Sequence, residues 1–124
     1  MNNNKPFSFA DRIKSVGYAL EGIAIYFKTQ HNALIQFVAA IVVIILGFVL
    51  NVNNTEWCFL IFSIALVIIT EMINTAIEFL TDLASPTIHP LAKKVKDVAA
   101  GAVLIAAIAV ALIGLIIFLP KIFL

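Results

Sequence analysis

The sequence predicts an all-α membrane protein: an N-terminal amphipathic helix lying at the interface, followed by three transmembrane helices. Three observations carry this prediction. Hydrophobic residues make up 63% of the 124 positions and charged residues only 12%, against roughly 25% charged in a soluble domain. Three apolar runs are long enough to cross the roughly 30 Å hydrocarbon core. Before the first of them, apolar residues recur at helical spacing with charges on the opposite side. At this length the chain is one domain, residues 1–124, too short to enclose a site among its own helices with much to spare, so self-association is expected. The net charge of +1 says little about partners, and with no basic run of the nucleic-acid-binding kind that class of partner is not expected. Cys58 is the one cysteine, which excludes an intrachain disulfide and a thiolate metal site.

Residues 1–6 read as a loose polar tail, and no signal peptide is expected because the first long apolar run starts only near Leu34. Phe9, Ile13, Val16, Leu20, Ile23 and Phe27 then follow at spacings of four, three, four, three and four, which predicts a helix over 8–28 with Ser8 as its N-cap and Asp11 at the third helical position. Asp11, Arg12, Lys14 and Glu21 occupy the other face. Such a helix lies on a membrane surface or packs on protein. Residues 28–32 read as a polar hinge. Residues 34–50 form the first span, with Gln36 as its one strongly polar residue. After a short turn, Trp57 stands where an interfacial aromatic belongs, and the second span runs over 57–83.

Pro86 and Pro90 break the chain. Lys93, Lys94, Lys96 and Asp97 then give a basic loop, and 98–119 supply twenty-two uncharged residues for the third span, ended by Pro120 and Lys121. Ala102/Ala106 and Ala107/Ala111 have the small-residue spacing that lets membrane helices approach closely. Lys5, Arg12, Lys14 and Lys28 precede the first span and three lysines lie between the second and third, whereas 51–56 hold no cation. The positive-inside rule then makes the N-terminus and the basic loop cytoplasmic.

The second span carries the chemistry. At about 100° per residue, Glu71, Asn74, Glu78 and Asp82 fall within about 80° of one another. Ionisable groups at membrane depth cost roughly 2.5 kcal/mol or more each and usually mark function, although polar helix packing or a helix extension dissolved in water would also place them there. Phosphoryl transfer from a nucleotide needs Mg²⁺ held by carboxylates, a cation for the phosphates and a base near the acceptor hydroxyl. Glu78 near the rim suits the metal, Lys96 the phosphates, and Glu71 in deeper apolar surroundings the general base. The chain has no GxxxxGK[ST] and no kinase glycine-rich loop. On these features alone a small membrane enzyme and an ion-translocating protein both remain open.

The segment E-x-x-N-T-A-I-E-x-x-x-D from Glu71 to Asp82, with K-D-x-A-A-G-A-V-L from Lys96 to Leu104 fourteen residues on, resembles the signature of the bacterial diacylglycerol kinase/undecaprenol kinase family. The similarity extends back to Arg12, Lys14, Gly17 and Tyr18. It implies a homotrimeric helical bundle in the bacterial cytoplasmic membrane, with sites between subunits, that transfers the γ-phosphate of ATP to a membrane lipid alcohol. It implies further that Glu71 is the catalytic base, Glu78 a Mg²⁺ ligand, and Tyr18, Glu78, His89, Lys96 and Asp97 the nucleotide contacts. Arg12, Asn74 and Asp82 would lie on the lipid-substrate side. Gln30 stands where the family has a metal-binding glutamate; its carbonyl can ligate Mg²⁺ without the charge. Leu34 stands where an arginine is usual. The Asn-Thr-Ala-Ile-Glu form, Glu56-Trp57 and His89-Pro-Leu-Ala-Lys-Lys are closer to the undecaprenol branch than to the diacylglycerol branch. A non-catalytic member acting as an assembly partner or ion pathway is the competing expectation, and Gln30 is the feature in its favour.

Overall fold

A computed structural model describes residues 4–124; the second half of the tail expected over 1–6 lies within it, and residues 1–3 fall outside the described residues. Four helices follow in order: α1 (Phe9–Thr29), α2 (His31–Val49), α3 (Asn54–Ala84) and α4 (Pro90–Phe123). The last three are each long and apolar enough to cross a membrane. The expected order of elements is therefore found, with boundaries that differ for local chemical reasons.

Ser8 caps α1 as its sequence position predicts, its hydroxyl accepting from the Asp11 N–H at 3.4 Å. The hinge expected over 28–32 shrinks to one residue. Gln30 alone is extended (φ −107°, ψ 120°), donating its backbone N–H to Tyr26 O, and His31 already starts α2. The second span starts three residues before Trp57 because Asn53 and Glu56 make a reciprocal capping box, which satisfies two N–H groups at that end.

The largest difference concerns the basic loop. Lys93, Lys94, Lys96 and Asp97 lie in the first turns of α4, because His89 Nδ1 accepts from the Leu91 N–H and Pro90 sits in the first turn, where its missing N–H costs nothing. Pro90 begins this helix rather than breaking one. At the other end α4 continues through Pro120 to Phe123, since a proline in the last turn gives up only one ladder bond. At 1.5 Å per residue α4 is about 51 Å long, so its charged ends extend beyond a 30 Å apolar slab.

α3 packs most extensively on α4, α2 leans on α3, and α1 touches both α2 and α3. The core sits at the α2–α3 turn, where Val52, Leu60 and Ile117 are buried and Val43, Trp57, Ile113 and Phe118 pack on them. Gly47 is required there. A Cβ at that position would stand 2.5 Å from the Trp57 ring, so the glycine lets the indole lie against the α2 backbone. Asn51 closes the turn at φ 53°, a left-handed conformation that asparagine tolerates. Elsewhere large apolar side chains face outward on every helix, Phe62 at 75% and Ile116 at 72% exposure among them. So much exposed apolar surface on three long helices is what a lipid environment or further copies of the chain would cover.

Candidate active site

The polar face of α3 begins where its apolar run ends. Glu71 lies about 22 Å along the axis from Glu56, within the depth of a hydrocarbon core that starts at Trp57. Thr70, Thr75 and Thr81 return their hydroxyls to carbonyls one turn back, at 2.8, 2.9 and 2.7 Å. These threonines therefore satisfy themselves within the helix. The acids and the amide have no such recourse, and they turn to one another.

Glu71, Asn74 and Glu78 are all half-buried on one face. Asn74 Nδ2 donates to Glu78 Oε1 at 3.2 Å, while Asn74 Oδ1 is buried with no partner. Glu71 and Glu78 lie close enough for their charges to act on each other. Two carboxylates and an orphaned amide oxygen are the donor set that a small hard cation prefers. Among the described residues no group of three or more His, Cys, Asp or Glu side chains forms a metal site by itself, so the amide oxygen matters to the fit. Gln30 uses its amide nitrogen locally, donating to Thr29 Oγ1 at 3.3 Å, which leaves its carbonyl as the ligand-type atom.

One turn below Glu78, Asp82 Oδ1 accepts from Lys96 Nζ at 2.6 Å and so ties α3 to α4. Asp97 pairs with Lys93, also at 2.6 Å, across one turn of α4. Lys96 and Asp97, adjacent in sequence, thus point their charges to different partners. Asp82, His89, Lys96 and Asp97 nevertheless meet in a single polar pocket of about 340 Å³ beneath the α3–α4 connection, completed by Thr81, Ser85 and Thr87. His89 has a structural task here as the cap of α4 through Nδ1, and its Nε2 remains for a ligand. Arg12 and Tyr18 are exposed on α1, the Arg12 guanidinium standing over the Phe7 ring at 5.4 Å from its centroid. Neither makes a hydrogen bond or ion pair to the acids of α3.

Two polar residues join the site without having been expected there. Gln36 on α2 accepts a hydrogen bond from the Tyr26 hydroxyl at 2.5 Å and stands near enough to Glu71 to act on its carboxylate. Burial away from water and the nearby Glu71 carboxylate push the Tyr26 phenol up from its ordinary value, against the opposing pull of its bond to Gln36. Gln36 carried a signal, being the one strongly polar residue of its span. Tyr26 carried none, since a tyrosine beside an apolar stripe is ordinary.

The family described as prokaryotic diacylglycerol kinase matches residues 17–118. The chain is 42% identical over 108 residues to an undecaprenol kinase of Bacillus subtilis (strain 168), covering 87% of this chain and 88% of that protein. It is 39% identical over 107 residues to a diacylglycerol kinase of Synechocystis sp., covering 86% and 61%. With a diacylglycerol kinase of Escherichia coli (strain K12) the identity is 31% over 105 residues, covering 85% and 86%.

Proposed function

The chain belongs to the prokaryotic diacylglycerol kinase family, and from that premise we propose that it is a lipid kinase that transfers the γ-phosphate of ATP to the primary hydroxyl of undecaprenol. The observation that carries the mechanism is the half-buried set Glu71, Asn74 and Glu78 beside the polar pocket of Asp82, His89, Lys96 and Asp97. The undecaprenol branch is supported by the 42% identity to a protein of that name and by the Asn-Thr-Ala-Ile-Glu form of the α3 segment.

In this reading one Glu71 oxygen accepts the proton of the lipid hydroxyl while the hydroxyl oxygen bonds to the γ-phosphorus. The bond from that phosphorus to the β–γ bridging oxygen breaks, and ADP leaves. Glu78, with Asn74 Oδ1 beside it and Gln30 as a neutral third donor, would hold Mg²⁺, which when bound offsets charge on the β- and γ-phosphates. Lys96 exchanges its surface pairing with Asp82 for a phosphate, a change that costs little because exposed ion pairs are worth about 0–1 kcal/mol. Asp97, His89 and Tyr18 contact the nucleotide, and Asp82 is freed as Lys96 moves. Arg12 faces the lipid, whereas Asn74, expected on that side too, is taken up by the metal and Glu78.

The same proposal takes α1 as an interfacial helix, since Phe9, Ile13, Val16 and Leu20 stand exposed along one side of it. It takes the N-terminus and the start of α4 as cytoplasmic on the charge asymmetry, in a bacterial cytoplasmic membrane. It takes the working unit as a homotrimer in which a neighbouring copy covers part of the exposed apolar surface. Radiolabelled ATP in mixed micelles that offer undecaprenol and diacylglycerol side by side tests the reading. Label in undecaprenyl phosphate supports it; label only in phosphatidic acid moves the acceptor to the other branch, and no labelled lipid refutes it.

A further inference from the structure

Tyr26 and Gln36 are ten residues apart, and in an unbroken helix they would be separated by about 15 Å along the axis. The single extended residue Gln30 folds α1 back against α2 and brings the phenol onto the Gln36 carbonyl. We propose that Tyr26 and Gln36 form a positioning relay for Glu71, in which the phenol fixes the orientation of the Gln36 amide so that its NH₂ group, and not its carbonyl, meets the Glu71 carboxylate.

The chemistry of an amide makes this orientation matter. Its two ends are nearly the same size, but one only donates and the other only accepts. A phenol hydroxyl donating to Gln36 Oε1 occupies the accepting end. The donating end is then left for Glu71, which lies within reach of Gln36. An NH₂ donor binds a carboxylate oxygen in its ionised form, which is the form a proton acceptor must have, and it holds one oxygen so that the other is left for the incoming hydroxyl. With the phenol absent the amide is free to turn over. Its carbonyl would then face the carboxylate, lone pair against lone pair, and favour Glu71 already carrying a proton.

The surroundings suit a fixed chain of this kind. Tyr26 is 3% exposed and its ring stands edge-on to Phe27, which stands edge-on to Phe37 of α2. α1 touches both α2 and α3. The phenol is raised above its ordinary value by burial and by Glu71, so it stays a donor at neutral pH. The relay also gives α1 a reason to be joined to α2 by one residue rather than by a loop.

The inference rests on Glu71 as the proton acceptor, and the test separates the two. Tyr26→Phe, Gln36→Met, the double variant and Glu71→Gln are compared with the parent by steady-state kinetics in mixed micelles, with thermal unfolding in the same detergent; Gln36→Leu substitutes if Gln36→Met does not fold. Tyr26→Phe removes one oxygen and leaves the ring packing in place. Each single variant is expected to lose roughly five- to tenfold in kcat with the KM for ATP and for lipid unchanged, and the double variant no more than the worse single, because the two groups act through one contact. Parent-like kcat in Tyr26→Phe, losses that multiply in the double variant, or a change confined to KM would overturn the relay. If Glu71→Gln stayed active, the base assignment would fall and the relay with it. An inactive Glu71→Gln beside a parent-like Tyr26→Phe would remove the relay alone.

Discussion

The two ends of α3 are built differently. At the α2–α3 turn, the Trp57 indole lies on Gly47 and meets the Phe48 ring at a tilt, 4.9 Å between centroids. Asn53 and Glu56 cap each other, Glu56 pairs with Lys121 at 3.1 Å, and Val52, Leu60 and Ile117 close a small core. The Asn53, Glu56 and Lys121 side chains there each have a partner within this group. At the α3–α4 loop the polar groups are more numerous and less settled. Asn74 Oδ1 is orphaned, two carboxylates lie near each other, and both ion pairs are largely exposed. The contrast teaches that the turn end holds the helices in place, while the loop end keeps donors and acceptors that only a ligand would complete.

The largest effect expected from breaking this contrast is at Glu71. Glu71→Gln should lower kcat by about 10²–10⁴, the range for loss of a general base, while nucleotide affinity and thermal stability stay close to the parent; ligand-binding calorimetry beside the radiolabel assay checks both. Glu78→Ala should instead weaken Mg²⁺ dependence and ATP affinity together. A stability loss in Glu71→Gln comparable to its activity loss would mean that the loop end is structural after all.

The reciprocal change is Gly47→Ala. Its Cβ has no room beside the Trp57 ring, so overpacking should cost about 1–3 kcal/mol, seen as a lower unfolding midpoint in detergent. Turnover per folded molecule should be unchanged. An equally stable variant would show that the indole can move off α2 freely.

The smallest effect sharpens the picture of the loop end. Replacing a neutral amide by a carboxylate adds a charge whose interaction with a cation at a few ångströms is about 1 kcal/mol in water and about 4 kcal/mol at an effective dielectric of 20. Gln30→Glu should therefore reach half-maximal activity at about tenfold lower Mg²⁺, one decade being about 1.4 kcal/mol. Superimposable Mg²⁺ titrations at fixed ATP would remove Gln30 from the metal site.

What the sequence determined by itself is whatever depends on neighbours along the chain. Hydropathy and 3.6-residue periodicity suffice for four helices in the right order, for the Ser8 cap, and for a polar face running from Glu71 to Asp82, because those signals are local. Even the boundaries missed here had local causes: the Asn53/Glu56 box, the His89 cap with Pro90 after it, and a terminal-turn Pro120 were all written in adjacent residues. The tertiary structure decided the pairings. Lys96 meets Asp82 rather than a group beside it, Lys121 reaches Glu56 from the far end of α4, and the Tyr26 hydroxyl meets Gln36 across the α1–α2 break. Each joins residues whose approach depends on how separate helices lean and on where one residue, Gln30, breaks the chain. A periodic pattern records which face a residue is on, but not what the facing helix presents to it, and the chemistry of this site is made between helices.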